Sequence, residues 1–263
     1  SASSSFSSPR LKKLALAMMV LVALTLVAAA LYQFAFVNPK FFSYAMELRA
    51  PRLIVMLTAG FSISAAAIVF QTIIRNNIVT PCLLGMNSLY LLIHTAVVFF
   101  FGSGSQFATN PVMAFAVDIV LMGVIATFIY YSIFKKTGGN VLYVLLIGTV
   151  LSTFFSSMQN SLTRIMDPNE YDALLNTLVA SFTNVNMACI IPGILILILI
   201  ALWLKKDIAI LDIISLGRDQ AISLGVDYER VLRRLMVGVA LYIAVATALV
   251  GPLSFLGLIT ANV

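Results

Sequence analysis

An all-α fold, a polytopic bundle of membrane helices, is what this sequence predicts, and three observations point to it. The 263 residues are 61% hydrophobic and 10% charged, with a mean hydropathy of +1.05, against the roughly half-apolar, quarter-charged mixture of soluble domains. The apolar residues gather into runs of about 20, the length that crosses the hydrocarbon of a bilayer. Only brief polar connections separate the runs, which leaves no room for a soluble domain between them. One domain over residues 1–263 is expected, with the bundle occupying 14–263.

The opening SASSSFSSPRLKK, residues 1–13, reads as a flexible polar tail. Leu14 to Phe36 is longer than the core of a signal peptide and has no small-residue cleavage site near its end, so a first span is expected near 14–37. The second run, near 52–74, carries small residues at Ala59, Gly60, Ser62, Ser64, Ala65, Ala66 and Ala67. Small side chains let helices approach closely where no hydrophobic drive exists between them. A third span is expected near 80–101, with Pro81 and Gly85 predicting an interrupted backbone at its start. Such a break is tolerated in a membrane only when buried in protein or lining a cavity. Further spans are expected near 111–134, 141–163, 187–204 and 231–250, and an eighth begins around Gly251.

The formal charge of +6 carries no basic stripe with interleaved aromatics, so nucleic acid is excluded as a partner and membrane lipid is the expected surrounding. Basic residues concentrate on the cytoplasmic side of a membrane protein. With the amino terminus inside, twelve of the 16 lysines and arginines fall inside, and Lys40, Arg49, Arg52 and Arg164 fall outside. Residues 205–230 then form a cytoplasmic loop. Gly217 precedes a short helix with Asp219 in its first turn, where an acid suits the helix dipole. Gly225 fits the left-handed end of that helix, and Asp227 caps the next. Ala221, Ile222 and Leu224 are expected to form its apolar side, leaving Arg218, Asp219 and Gln220 to meet another protein. A helix resting on lipid headgroups is the alternative, although such anchors are normally richer in lysine and bulky aromatics.

Several polar residues sit among the apolar runs. Asp118 is an intramembrane acid and by that fact a candidate functional residue, with a hydrogen-bonded structural role as the alternative. His94, the one histidine, is expected to pack against a hydroxyl rather than bind metal. Cys82 and Cys189 lie in different runs with no CxxC spacing and read as packing residues. No metal-ligating constellation is present, nor a nucleophile–base pair, nor a G-x-x-x-x-G-K-[ST] phosphate loop. The chain is therefore expected not to be an enzyme and to bind no cofactor. A transporter driven by an ion gradient would be expected to carry paired intramembrane acids, and Asp118 stands alone.

Four motifs, in order along the chain, carry a resemblance. R-x-P-R is matched by Arg49, Pro51 and Arg52. Q-x-x-x-R-N-P-L-x-x-P-x-x-L-G is matched by Gln71, Arg75, Asn76, Pro81, Leu84 and Gly85, with Asn77 where proline is usual. G-x-x-A-x-x-L-G is matched, with slightly different inner spacing, by Gly217, Ala221, Leu224 and Gly225. G-P-x-x-F-x-G-L-I is matched by Gly251, Pro252, Phe255, Gly257, Leu258 and Ile259, followed by Ala261-Asn262 in place of Pro-His. In these motifs the chain resembles, over essentially its whole length, the FecCD-type permease subunits of ABC importers for iron-siderophores, haem and cobalamin.

That resemblance implies a ten-helix subunit of the bacterial inner membrane, of which this chain would hold about eight helices and lack the C-terminal ones. It implies three protein partners: a separate ATPase subunit holding ATP and Mg, a periplasmic or lipoprotein substrate-binding protein, and a second permease, identical or related. Gly217, Arg218, Asp219, Gln220, Ala221, Leu224 and Gly225 would form the ATPase-coupling helix. Arg49 and Arg52 would dock the binding protein's acidic residues, whereas their residue types alone fit ordinary interfacial snorkelling. Gln71, Asn76, Asn87, Gln159, Asn160 and Thr163 would lie on the translocation path, and Gly138, Gly139 and Asn140 at the cytoplasmic gate. The departures look most like the branch serving catecholate or mixed siderophores; haem or cobalamin is the alternative cargo.

Overall fold

The computed structural model describes residues 9–35, 39–137, 141–175 and 186–252. Among these the chain is helical with no strand. It divides into two compact units, residues 1–54 and 55–263.

In the first unit, α1 (Pro9–Phe34) is apolar on all sides, and no residue of it from Leu16 to Phe34 is buried. A helix greasy all round and uncovered by protein belongs in lipid. A 3-10 turn at Pro39–Phe41 leads into α2 (Phe42–Ile74). The sequence placed the start of this second helix near residue 52. The helix instead begins ten residues earlier and runs through Pro51, so the R-x-P-R motif lies inside it. Membrane helices tolerate such a proline because neighbouring groups satisfy the freed carbonyl. The Arg49 side chain turns back onto the end of α1, donating from Nη1 to the carbonyls of Tyr32 at 2.9 Å and Ala35 at 2.8 Å. Helix C-termini leave such carbonyls unpaired, and an arginine satisfies them. Phe34 stacks on Phe42 at 6.3 Å between ring centroids, closing the same corner.

The second unit holds the rest of α2, a 3-10 turn at Pro81–Leu84, then α3 (Met86–Phe101), α4 (Gln106–Thr109), α5 (Pro111–Thr137), α6 (Val141–Ile165), α7 (Pro168–Leu175), α8 (Met187–Ala209), α9 (Leu211–Ser215), α10 (Arg218–Ser223) and α11 (Tyr228–Val250). By length and composition α5, α8 and α11, like α1 and α2, could each cross a membrane. The shorter α3 and the half-polar α6 complete the helices that the sequence placed there. The eighth expected span lies outside the described residues.

α11 is the axis of the unit. Leu235, Val239, Ala240, Ile243, Ala244 and Val245 are all buried, and α5 and α8 pack along it. Two glycines set the spacing. A Cβ on Gly238 would overlap Cδ1 of Leu204 on α8, and one on Gly123 of α5 would stand 2.8 Å from Leu241 Cδ2. α2 joins through its small-residue face, where Ala59, Ser62, Ala66 and Ala67 are fully buried and Ser62 Oγ donates to the Tyr242 carbonyl at 2.7 Å.

The expected break before α3 is present, and its depth is the finding. Gly85, at φ +90°, sits against α6, where a Cβ would meet Ser152 Oγ at 3.2 Å. Ser152 lies about 16 Å along α6 from its start, at 1.5 Å per residue. The irregular backbone is therefore level with the middle of α6, buried against protein. The carbonyl of Pro81 accepts from the Tyr130 hydroxyl at 2.9 Å, which satisfies a group no helix could.

Candidate functional site

The segment expected to couple to an ATPase is built from α8 to α11. α8 continues past Lys205 and Lys206 to Ala209, and its buried Asp207 meets Arg234 of α11, Oδ1 to Nη1, at 3.6 Å. Arg234 in turn lies over the Trp203 ring at 5.8 Å. α9, which the sequence reading did not anticipate, anchors by burying Ile214. Gly217 takes φ +110°, a conformation that side chains avoid, and turns the chain into α10. Gly225 at φ +82° ends that helix as expected, and the Asp227 carboxylate accepts from the Arg230 amide at 3.2 Å to cap α11.

The expected apolar side of α10 is only partly present. Ala221 is fully buried, whereas Ile222 and Leu224 are 48% and 60% exposed. Six residues make fewer than two turns, and Leu224 lies beyond the helix as its C-cap. One methyl therefore anchors the segment. Arg218 is also not free: its Nε lies 3.3 Å from Glu229 Oε1 on α11. What α10 presents outward is Asp219, with a side chain 98% exposed, together with Gln220, Ile222 and Leu224. One acid, one amide and two aliphatic side chains, held on a fixed backbone, form a small amphiphilic knob suited to a protein groove.

A second polar region follows the seam between α3 and α6. Ser156 Oγ donates to Ser88 Oγ at 3.1 Å, beside Asn87 at the start of α3. One turn on, Gln159 is half-buried while Asn160 is exposed, and Thr163 Oγ1 donates to the Asn160 carbonyl at 3.0 Å. Gln71 and Asn76 are not brought to this seam. Gln71 is buried at the end of α2 and donates to the Asn77 carbonyl at 2.8 Å, while Asn76 Oδ1 accepts from the Ile78 amide at 2.8 Å. Both hold the turn after α2. Gly138, Gly139 and Asn140 lie outside the described residues.

The third feature is a cavity of about 350 Å³ among α3, α5, α8 and α11, lined by Tyr90, His94, Phe115, Asp118, Asn186 and Leu249 among others. Asp118, 3% exposed, has Oδ1 3.0 Å from His94 Nδ1. The Tyr90 hydroxyl lies 3.5 Å from His94 Nε2. The hydroxyl expected beside His94 is there, but the acid read as solitary has the histidine as its partner. Burial of a carboxylate is costly unless it is paired, and α3 supplies that pairing.

Residues 14–263 match the FecCD transport family. The chain belongs to that family. Among FecCD relatives, the petrobactin import system permease protein YclO of Bacillus subtilis is 35% identical over 243 residues, covering 92% of this chain and 76% of YclO. The petrobactin import system permease protein FatC of Bacillus anthracis is 32% identical, over 86% of this chain and 63% of FatC. The vitamin B12 import system permease protein BtuC of Vibrio cholerae is 26% identical, over 82% and 63%. The chain thus spans from under two thirds to about three quarters of the length of these relatives. A solved metal-chelate type ABC transporter in an inward-facing conformation superposes with a TM-score of 0.72 at 21% identity, covering 92% of this chain and 78% of that one. That likeness shows the fold: a multi-pass helical bundle of the ABC permease kind.

Proposed function

We propose that this FecCD chain is the membrane-spanning permease subunit of an ATP-driven importer that carries a ferric siderophore, of catecholate type, across the bacterial inner membrane. A separate ATPase subunit, holding ATP and Mg, docks on α10; a periplasmic or lipoprotein binding protein delivers the cargo at the opposite face; and a second permease completes the path. The observation that carries the reading is the mounting of α10. It hangs between two left-handed glycines, is anchored by the buried Ala221 with the exposed Arg218–Glu229 pair beside it, and continues through a capped turn into α11, the buried axis of the bundle. Only Leu224 to Asp227 separate α10 from α11, so a push on α10 would reach α11 over a short, capped connection rather than a long loop.

Two further features support transport. Asn87, Gln159, Asn160 and Thr163 offer neutral hydrogen-bonding groups along one seam, which suits a large polar chelate that must bind weakly enough to leave. Arg52, about one turn on from Arg49, stands at the rim where an acidic binding protein would dock. The relatives named for petrobactin import favour a siderophore cargo. The BtuC relative favours cobalamin as the second reading. Uptake of radiolabelled ferric petrobactin, a ferric hydroxamate and cobalamin by cells lacking the chain separates them. Loss of ferric petrobactin uptake alone is expected; loss of cobalamin uptake alone would replace the first reading by the second.

A further inference from the structure

Arg75 holds a backbone conformation that suits glycine better. Among the described residues it is the one non-glycine with positive φ, at +57°. The Asn76 amide returns to the Gln71 carbonyl at 3.1 Å and the Arg75 amide to the Thr72 carbonyl at 3.3 Å. This is the pattern of a helix closed by a left-handed residue, a position that glycine fills most easily because it has no Cβ. The turn does not need the arginine side chain, since Gln71 and Asn76 already fasten it through Asn77 and Ile78.

What the side chain of the exposed Arg75 does touch is Gly217, the residue that caps the start of α10. A Cβ on Gly217 would overlap Nη2 of Arg75, with Cζ at 3.1 Å and Nη1 at 3.5 Å. The two residues interlock in opposite senses. Arg75 is a non-glycine where glycine would be easier, and Gly217 is a glycine whose side-chain space is already taken by the guanidinium.

We propose that Arg75 is a positioning residue that ties the inner end of α2 to α10, so that movement of α10 reaches α2 as well as α11. The inference rests on α10 being the docking segment. Along the chain, α10 leads only into α11. Through Arg75 it also bears on α2, whose Val55, Ala59, Ile63 and Phe70 are buried in the core and whose Ser62 bonds the α11 carbonyl of Tyr242. Two helices that meet along the bundle are thereby driven from one point, through contiguous packed groups.

The test uses the complete transporter, with its ATPase and binding protein, in proteoliposomes, and reads ferric petrobactin imported per ATP hydrolysed. Arg75→Gly relieves the backbone and removes the contact. It is expected to keep the ATPase bound and ATP hydrolysis within about twofold, while import per ATP falls about tenfold, within the usual range of coupling between sites. Arg75→Asn, which tolerates the left-handed turn but cannot reach Gly217, should behave alike and decides the matter if the glycine variant does not assemble. Arg75→Lys, which retains reach and charge, should recover part of the loss. Import per ATP at the wild-type level in both the glycine and asparagine variants overturns the proposal. The paired change Arg218→Glu with Asp219→Lys distinguishes the two failures. If it is uncoupled while the Arg75 variants are not, only the strut is wrong; if it also imports normally, the docking reading fails and the strut with it.

Discussion

His94 and Asp118 face each other at 3.0 Å across the interface of α3 and α5, with the carboxylate buried and the Tyr90 hydroxyl 3.5 Å from the far side of the imidazole. The pair ties α5 to α3, the helix that follows the break at Pro81–Gly85. Asp118→Leu leaves His94 without its acid, and about 2 kcal/mol of stability is expected to be lost, the usual cost of stranding a buried polar group. The double change Asp118→Leu with His94→Phe should cost clearly less than the sum of the single ones. Thermal unfolding in detergent measures the cycle; additive losses would show that the two groups do not interact.

Gly238 and Leu204 fix how closely α8 approaches α11. Gly238→Ala forces the Leu204 tip aside and is expected to cost about 1–3 kcal/mol, as overpacking of a tight core does. Leu204→Ala in the same chain should cost less than the sum of the two single changes, because it vacates the space the new methyl needs. The melting temperatures of the three variants provide the check.

Arg49 and Arg52 are expected to separate. Arg49→Ala removes the donor that closes the α1 end and should lower stability by about 1–2 kcal/mol. Arg52→Glu should leave the melting temperature unchanged and weaken capture of the purified binding protein in a pulldown. Undiminished capture by the doubly reversed Arg49→Glu, Arg52→Glu chain would remove the docking role from this rim.

The exposed ion pairs of α10 contribute little to the fold. Arg218→Glu with Asp219→Lys should shift stability by less than about 1 kcal/mol, the worth of surface pairs. Import per ATP should nevertheless fall about tenfold, within the range usual for coupled sites. Parallel melts and transport assays on one preparation separate the two effects.

Much of this was legible in the sequence, and the misses have physical causes. Membrane helices declare themselves by length and greasiness, so α5, α6, α8 and α11 fall within a few residues of their expected bounds. Gly225 and Asp227 were readable because end and cap chemistry is local. The early start of α2 was not, since Pro51 usually marks a boundary in water but is carried inside helices in lipid. Short α7 and α9 offer too few residues for a period to show. The partnership of His94 with Asp118, the depth of Gly85 against Ser152 and the reach of Arg75 to Gly217 depend on which helices become neighbours, and no spacing along the chain encodes that. Gln71 and Asn76 were placed on the path by the resemblance; that they also fasten the turn after α2 through Asn77 and Ile78 depends on contacts no motif encodes.

The central claim is that α10 delivers the work of ATP hydrolysis to the bundle through α11. Replacing residues 218–223 by an equally long Gly/Ser linker and measuring ferric petrobactin import per ATP in the reconstituted transporter tests it most directly. A folded bundle with its melting temperature nearly intact, and import reduced to the level seen without ATP, is the expected result. Import at the wild-type rate from the linker protein would contradict it.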